Sequence, residues 1–104
     1  MIKIPVHTAN SLFKRTKGLI GQERIEPFFL KTRFGIHTFG MKKGIDVVIL
    51  DKQNRIQTMK KNLKPFRILL WNPLYDSVLE LPRGFISTHH LKKGEQVKLI
   101  EQPE

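Results

Sequence analysis

The chain has no cysteine, which excludes disulfide bridges, thiolate catalysis and cysteine-ligated zinc. It is short of acid: nine Asp and Glu stand against nineteen Lys and Arg, leaving a formal charge of +10. No apolar run approaches the ~20 residues that carry a helix across a bilayer. The opening Met1-Ile2-Lys3-Ile4-Pro5-Val6 is too short and polar for a signal-peptide core, so a cytoplasmic protein is the default. Catalytic signatures are missing too. Ser11, Ser77 and Ser87 have no G-x-S-x-G context, and the glycine pair Gly18 and Gly21 is too short to cradle phosphate. The four histidines, His7, His37, His89 and His90, fit no metal-site spacing, and neighbouring His89 and His90 point apart on a helix or a strand. No metal and no cofactor is expected.

What is present is a set of short periodic apolar runs, with 39% apolar residues over 104, enough for one domain spanning residues 1–104. The segment from Arg33 to Leu50 organises the rest. His37, Phe39 and Met41 alternate with Ile36, Thr38 and Gly40 at the period of a strand. Gly40 and Gly44 then bracket Met41-Lys42-Lys43, where backbone can turn or approach another chain closely. Ile45 to Leu50 is apolar on both faces apart from Asp46, as in a strand covered on both sides.

Ile2 to Val6 forms a first strand, which Pro5 confines to an edge or a strand start. Cap residues at 8–11 precede a helix over about Ser11 to Lys17, stopped by Gly18. Phe28 to Leu30 is a buried strand. Ile45 to Met59 is a hairpin turning at 51–54, followed by a basic loop from Lys60 to Pro65 and a strand within Phe66 to Trp71. Ser77 to Leu81 and Gln96 to Ile100 are strands, with a short helix or turn over Phe85 to Leu91 between them. The expected fold is mainly β (α+β): a single-domain distorted barrel or sandwich of short, mostly antiparallel strands with one or two short helices.

Two carboxylates, Asp46 and Glu80, sit inside apolar strands. An enzyme would use such a pair as acid and base; a structural role pairs each with a cation such as Arg15, Lys43 or Arg83, or with backbone amides. The positive signal is a basic-aromatic set: Arg33, Phe34, Phe39, Lys42, Lys43, Lys60, Lys61, Lys64, Phe66, Arg67 and Trp71. From Lys31 to Arg67 there are ten basic residues and two acidic ones, a field that attracts nucleic acid, acidic proteins and anionic membranes. Rings that stack on bases beside cations that track phosphates are the equipment of single-strand binders, although such rings also serve as core.

The order of the pieces resembles the uncharacterised, largely prokaryotic family known as domain of unknown function 192. The matching stretches are Arg15-Thr16-Lys17-Gly18-Leu19-Ile20, Phe39-Gly40-Met41-Lys42-Lys43 leading to Ile45-Asp46-Val47-Val48, and Pro65. They continue through Val78-Leu79-Glu80-Leu81-Pro82-Arg83-Gly84 and Gly94-Glu95-Gln96-Val97. The family's Phe-Trp-Met-Lys-Asn-Thr is replaced here by Phe39-Gly40-Met41-Lys42-Lys43-Gly44. The resemblance implies a small β-rich fold and no established reaction, with Arg15, Gly18, Pro65, Pro82, Gly84 and Gly94 in structural roles. The leading reading is a small, basic, non-enzymatic binding or accessory domain with its ligand and oligomeric state open. Its ligand-binding residues would be Phe39, Met41, Lys42, Lys43, Lys60, Lys61 and Lys64. RNA or single-stranded DNA binding by the same face is the second reading, and a hydrolase-type enzyme using Asp46 and Glu80 the third.

Overall fold

In chain order the strands are β1 (Ile2–Ala9), β2 (Phe28–Lys31), β3 (Ile36–His37), β4 (Ile45–Leu50), β5 (Ile56–Leu63), β6 (Ile68–Leu69), β7 (Ser77–Pro82) and β8 (Val97–Glu101). One short helix, α1 (Phe85–Thr88), follows β7. This computed structural model describes residues 1–9 and 26–103. The expected helix over about Ser11 to Lys17, together with Arg15 and Gly18, lies outside the described residues.

Six strands form one sheet in the order β5-β4-β7-β2-β1-β8, and β3 pairs with β6 in a separate two-stranded ribbon. The sheet is antiparallel except where β1 runs parallel to β2 and β8. Every residue of β4 is buried, as its two-sided apolar sequence requires. Alternation sends Ile45, Val47 and Ile49 into one core with Leu30, Ile36, Met41, Leu63 and Val78. Val48 and Leu50 face the other, with Ile4, Val6, Leu79, Leu81, Ile86 and Val97. The sheet curls until its edges meet at one corner, where Arg55 bridges Gln96 and the Val97 amide donates to Asn54 O at 2.9 Å. The result is the distorted barrel of short strands that the sequence implies.

Pro5 does not lie on an edge strand, yet the rule behind that expectation operates locally. Val6 O accepts from the Gln102 amide on the β8 side, whereas the His7 amide turns the other way, to Pro27 O. Pro5 shares the direction of His7, and β2 pairs only from His7 onward, so the missing N–H faces no strand.

The hairpin turn between β4 and β5 is built on Asp51. Its Oδ1 accepts the Gln53 and Arg55 amides, both at 2.9 Å, and its Oδ2 accepts from Gln57 Nε2 at 2.8 Å. Led by the Arg55 amide, these bonds hold the carboxyl below the usual aspartate range against the opposing effect of desolvation. A depressed folded pKa gives stability that is present above the unfolded value and lost as pH falls through the folded one. Asp51→Ala is therefore expected to destabilise at pH 7 and to lose that effect progressively as pH falls through the lowered range of the carboxyl, as urea titrations at a series of falling pH values would show.

Two expectations are corrected. Residues Lys60 to Leu63 continue β5 rather than forming a loop, because a bulge opposite Asp46 lets the strand bend and stay paired. The strands expected over 36–41 and 66–71 shorten to two residues each, because Gly40 (φ 85°) and Phe66 (φ 61°) leave the β region.

Candidate functional site

The β3–β6 ribbon is the part of the fold that presents chemistry to solvent. Ile36 lies opposite Leu69 and His37 opposite Ile68. Ile36 is buried and Leu69 packs against the same core, so His37 and Ile68 take the outer face. Phe39 on one chain and Phe66 and Leu70 on the other stand just beyond the two-residue strands. Phe39 stacks on His37 with centroids 5.2 Å apart and meets Phe66 at 6.3 Å. Phe66, Ile68 and Leu70 are 63–70% exposed, and nearby Phe34 and Leu74 are more exposed still. Gly35 is required beneath them: a Cβ there would strike Leu69 O and Leu70 Cδ2, and its φ of +89° favours glycine.

One fully buried residue, Thr38, holds the outer segment in place. Its amide donates to Arg67 O at 2.9 Å, and its carbonyl accepts the Phe66 and Met41 amides, both at 3.2 Å. Its hydroxyl donates to Lys64 O at 2.6 Å and accepts the Arg67 amide at 2.9 Å. These bonds flank Phe66, a bulky residue kept in left-handed backbone, a conformation costing roughly 1–3 kcal/mol and found where structure over-determines it. Thr38 was absent from the candidate residues, although its place on the inner face of the 36–41 alternation is visible in sequence.

The charge around the ribbon is mainly positive. Segments 31–45 and 60–75 carry eight basic residues (Lys31, Arg33, Lys42, Lys43, Lys60, Lys61, Lys64 and Arg67) and no Asp or Glu, with Asp46 and Asp76 directly after them; Leu74 lies beside Asp51 and Asp76. Arg33 is partly committed, donating to Pro73 O at 2.8 Å and lying 3.6 Å from Asp76.

Of the expected ligand-binding residues, Phe39 lies on the ribbon, Lys42 and Lys43 on the exposed turn after it, and Lys64 beside Thr38. Met41 is corrected: it is buried in the core, because its amide bond to Thr38 turns the chain inward. Lys60 and Lys61 do not share a face. Lys60 registers with Val47, and the bulge sets Lys61 against Asp46 on the opposite side. On an edge strand such lysines also oppose pairing with another chain. Trp71 is half-buried and donates from Nε1 to Tyr75 O at 2.8 Å, so it packs rather than joining the exposed rings.

Asp46 and Glu80 do not come together. Asp46 registers with Leu81 and Glu80 with Val47, and those partners belong to cores on opposite faces of the sheet. Asp46 is a staple: Oδ1 accepts the Asn62 amide of the bulge and Oδ2 the Ile86 amide of α1, both at 2.9 Å. Pro82 closes β7, Gly84 takes φ 91° before α1, and Gly94 takes φ 89° while donating to Ile56 O at 2.7 Å. Pro65 leads into Phe66. Among the histidines, His7 pairs with Glu26 at 2.8 Å and His89 stacks on Phe85 at 3.9 Å. Among the described residues no three of His, Asp and Glu converge as a metal site, and no helix is long and apolar enough to cross a membrane.

The described residues form a mainly β fold, a curled six-stranded sheet with a two-stranded ribbon beside it. The chain belongs to the family described as an uncharacterised ACR, domain of unknown function 192, whose model matches residues 2–99. It is 30% identical over 99 residues to a UPF0127 protein of Pyrococcus horikoshii, covering 89% of this chain and 85% of that one. Its fold is similar to a protein of unknown function from Novosphingobium aromaticivorans (TM-score 0.76, 16% identity, 88% of this chain and 71% of that one). It is also similar to a proposed transcription regulator from Sinorhizobium meliloti (TM-score 0.71, 16% identity, 88% and 78%). At such identity the likeness is one of fold.

Proposed function

We propose that this chain is a non-enzymatic binding module whose contact face is the outer side of the β3–β6 ribbon. The observation that carries this reading is the Phe39–Phe66 pair, in which a large ring is held out to solvent on left-handed backbone. A side chain kept at a conformational cost, without burial in return, is the mark of a contact residue. The enzyme reading loses its support, since its two carboxylates face opposite ways and both oxygens of Asp46 accept backbone amides.

Phe66→Asn tests this reading, because asparagine tolerates positive φ and cannot stack. Stability in urea is expected to hold or rise by about 1 kcal/mol. The probe is anilinonaphthalene sulfonate, an apolar ring system bearing an anion. On the native wild type it should bind saturably and shift the amides of residues 36–39 and 66–70 in NMR spectra, and the variant should lose that site. Shifts centred elsewhere, or binding that ignores the substitution, would overturn the assignment.

A further inference from the structure

We infer that the ribbon face docks on an anionic lipid surface. This deepens the contact-face reading and rests on it. Five large apolar side chains, Phe34, Phe66, Ile68, Leu70 and Leu74, are 63–90% exposed. They are not scattered. Ile68 stands in β6, with Phe66 two residues before it and Leu70 one residue past its end, and Phe66 meets Phe39 at 6.3 Å. Phe34 adjoins Gly35, over which Leu70 lies. Arg33 ties that loop by a 2.8 Å hydrogen bond to Pro73, next to Leu74, which lies at the edge of the patch beside Asp51 and Asp76. Contiguous apolar surface of this kind marks an interaction site.

Its composition selects among occupants. A single-stranded nucleic acid would use the rings His37, Phe39 and Phe66, but Ile68, Leu70 and Leu74 have no π-face to offer a base. A second copy of the chain would bring Lys42, Lys43, Lys64 and Arg67 against the same four cations. A folded acidic protein would need a groove shaped to five protruding side chains. A bilayer needs no matching shape. Its acyl boundary accepts Phe, Ile and Leu to a depth of about 5–10 Å, while its anionic headgroups meet Lys42, Lys43, Lys64 and Arg67 beside Phe39 and Phe66. The chemistry therefore fits a surface on which apolar knobs insert and cations remain at headgroup level.

The test is vesicle flotation of the full chain with phosphatidylcholine alone and with phosphatidylcholine containing a third phosphatidylglycerol, at 0.1 M salt. Partitioning onto the anionic vesicles should exceed that onto neutral ones at least tenfold. Ile68→Ser/Leu70→Ser should lower it at least tenfold with the melting temperature held, since both side chains are largely exposed. Lys42→Ala/Lys43→Ala should lower it roughly 25-fold, about fivefold per cation. Absence of binding to anionic vesicles, or binding indifferent to the Ile68/Leu70 change, overturns the lipid assignment. If the sulfonate probe still maps to the ribbon in that case, the contact face stands and only its occupant is wrong. If the probe also misses the ribbon, both fail. Tight binding of a short single-stranded RNA that depends on Phe39 and ignores Ile68 and Leu70 would give the face to nucleic acid. A concentration-dependent dimer abolished by Ile68→Ser/Leu70→Ser would give it to a second copy.

Discussion

Asp46→Ala is expected to destabilise the fold by about 3 kcal/mol, lowering Tm by roughly 12–24 °C for a domain of this size. Asp46 joins three elements. It stands in β4, its Oδ1 accepts the amide of Asn62 in the β5 bulge, and its Oδ2 accepts the amide of Ile86 in α1. Asn62 has a φ of 51°, so its amide points away from the sheet ladder and into reach of the carboxylate. Its side chain meanwhile occupies the space a Cβ at Gly44 would need. Alanine leaves two amides without acceptors, and each buried group so orphaned costs about 1–3 kcal/mol. Asp46→Asn keeps one acceptor and should cost about half as much. A catalytic carboxylate behaves oppositely, since its removal leaves stability unchanged or raises it. Urea denaturation of the two variants separates the roles, and an Asp46→Ala protein within 0.5 kcal/mol of wild type would refute the staple.

The same residue shows what a sequence can and cannot disclose. A carboxylate inside Ile45–Leu50 announces a partner, and acceptance of backbone amides was among the options. The identity of those amides was hidden, because they lie 16 and 40 residues away and converge only when the sheet forms. The strands themselves were legible. β4 is buried along its whole length and β7 nearly so, because two-sided burial writes itself as a continuous apolar run. Lys60 and Lys61 misled because a charged pair reads as a loop, whereas an exposed edge strand accommodates charge without leaving the ladder. Met41 misled in the opposite sense. Its alternation placed it beside Phe39, but the turn at Gly40 redirects the chain and sends its side chain inward. The ribbon was half legible. A strand within Phe66 to Trp71 was expected, yet nothing local indicates that His37 will lie opposite Ile68. Fold class followed from pattern; the site depends on pairings about thirty residues apart.

Thr38→Val is expected to cost about 2 kcal/mol, a Tm loss of roughly 8–16 °C, and to disable the ribbon face as well. Valine preserves the shape but not the hydroxyl that donates to Lys64 O and accepts the Arg67 amide. Both groups would then be orphaned at a position that is itself fully buried. The backbone bonds from Thr38 to Phe66 and Arg67 remain available but lose their support, so Phe66 is free to relax from positive φ. Its ring would then leave Phe39, 6.3 Å away in the native arrangement. Thr38→Ser supplies the control. It keeps the hydroxyl and forfeits one buried methyl, at a cost of about 1 kcal/mol. Hydrogen exchange distinguishes a lost anchor from general destabilisation: the Arg67 amide should exchange faster in the valine variant than its global stability predicts, and in the serine variant should follow it. The sulfonate probe should likewise desert the valine protein under conditions where it remains folded. If the valine variant retains Arg67 protection and probe binding alike, the outer segment holds itself, and Thr38 is only a buried residue of the core.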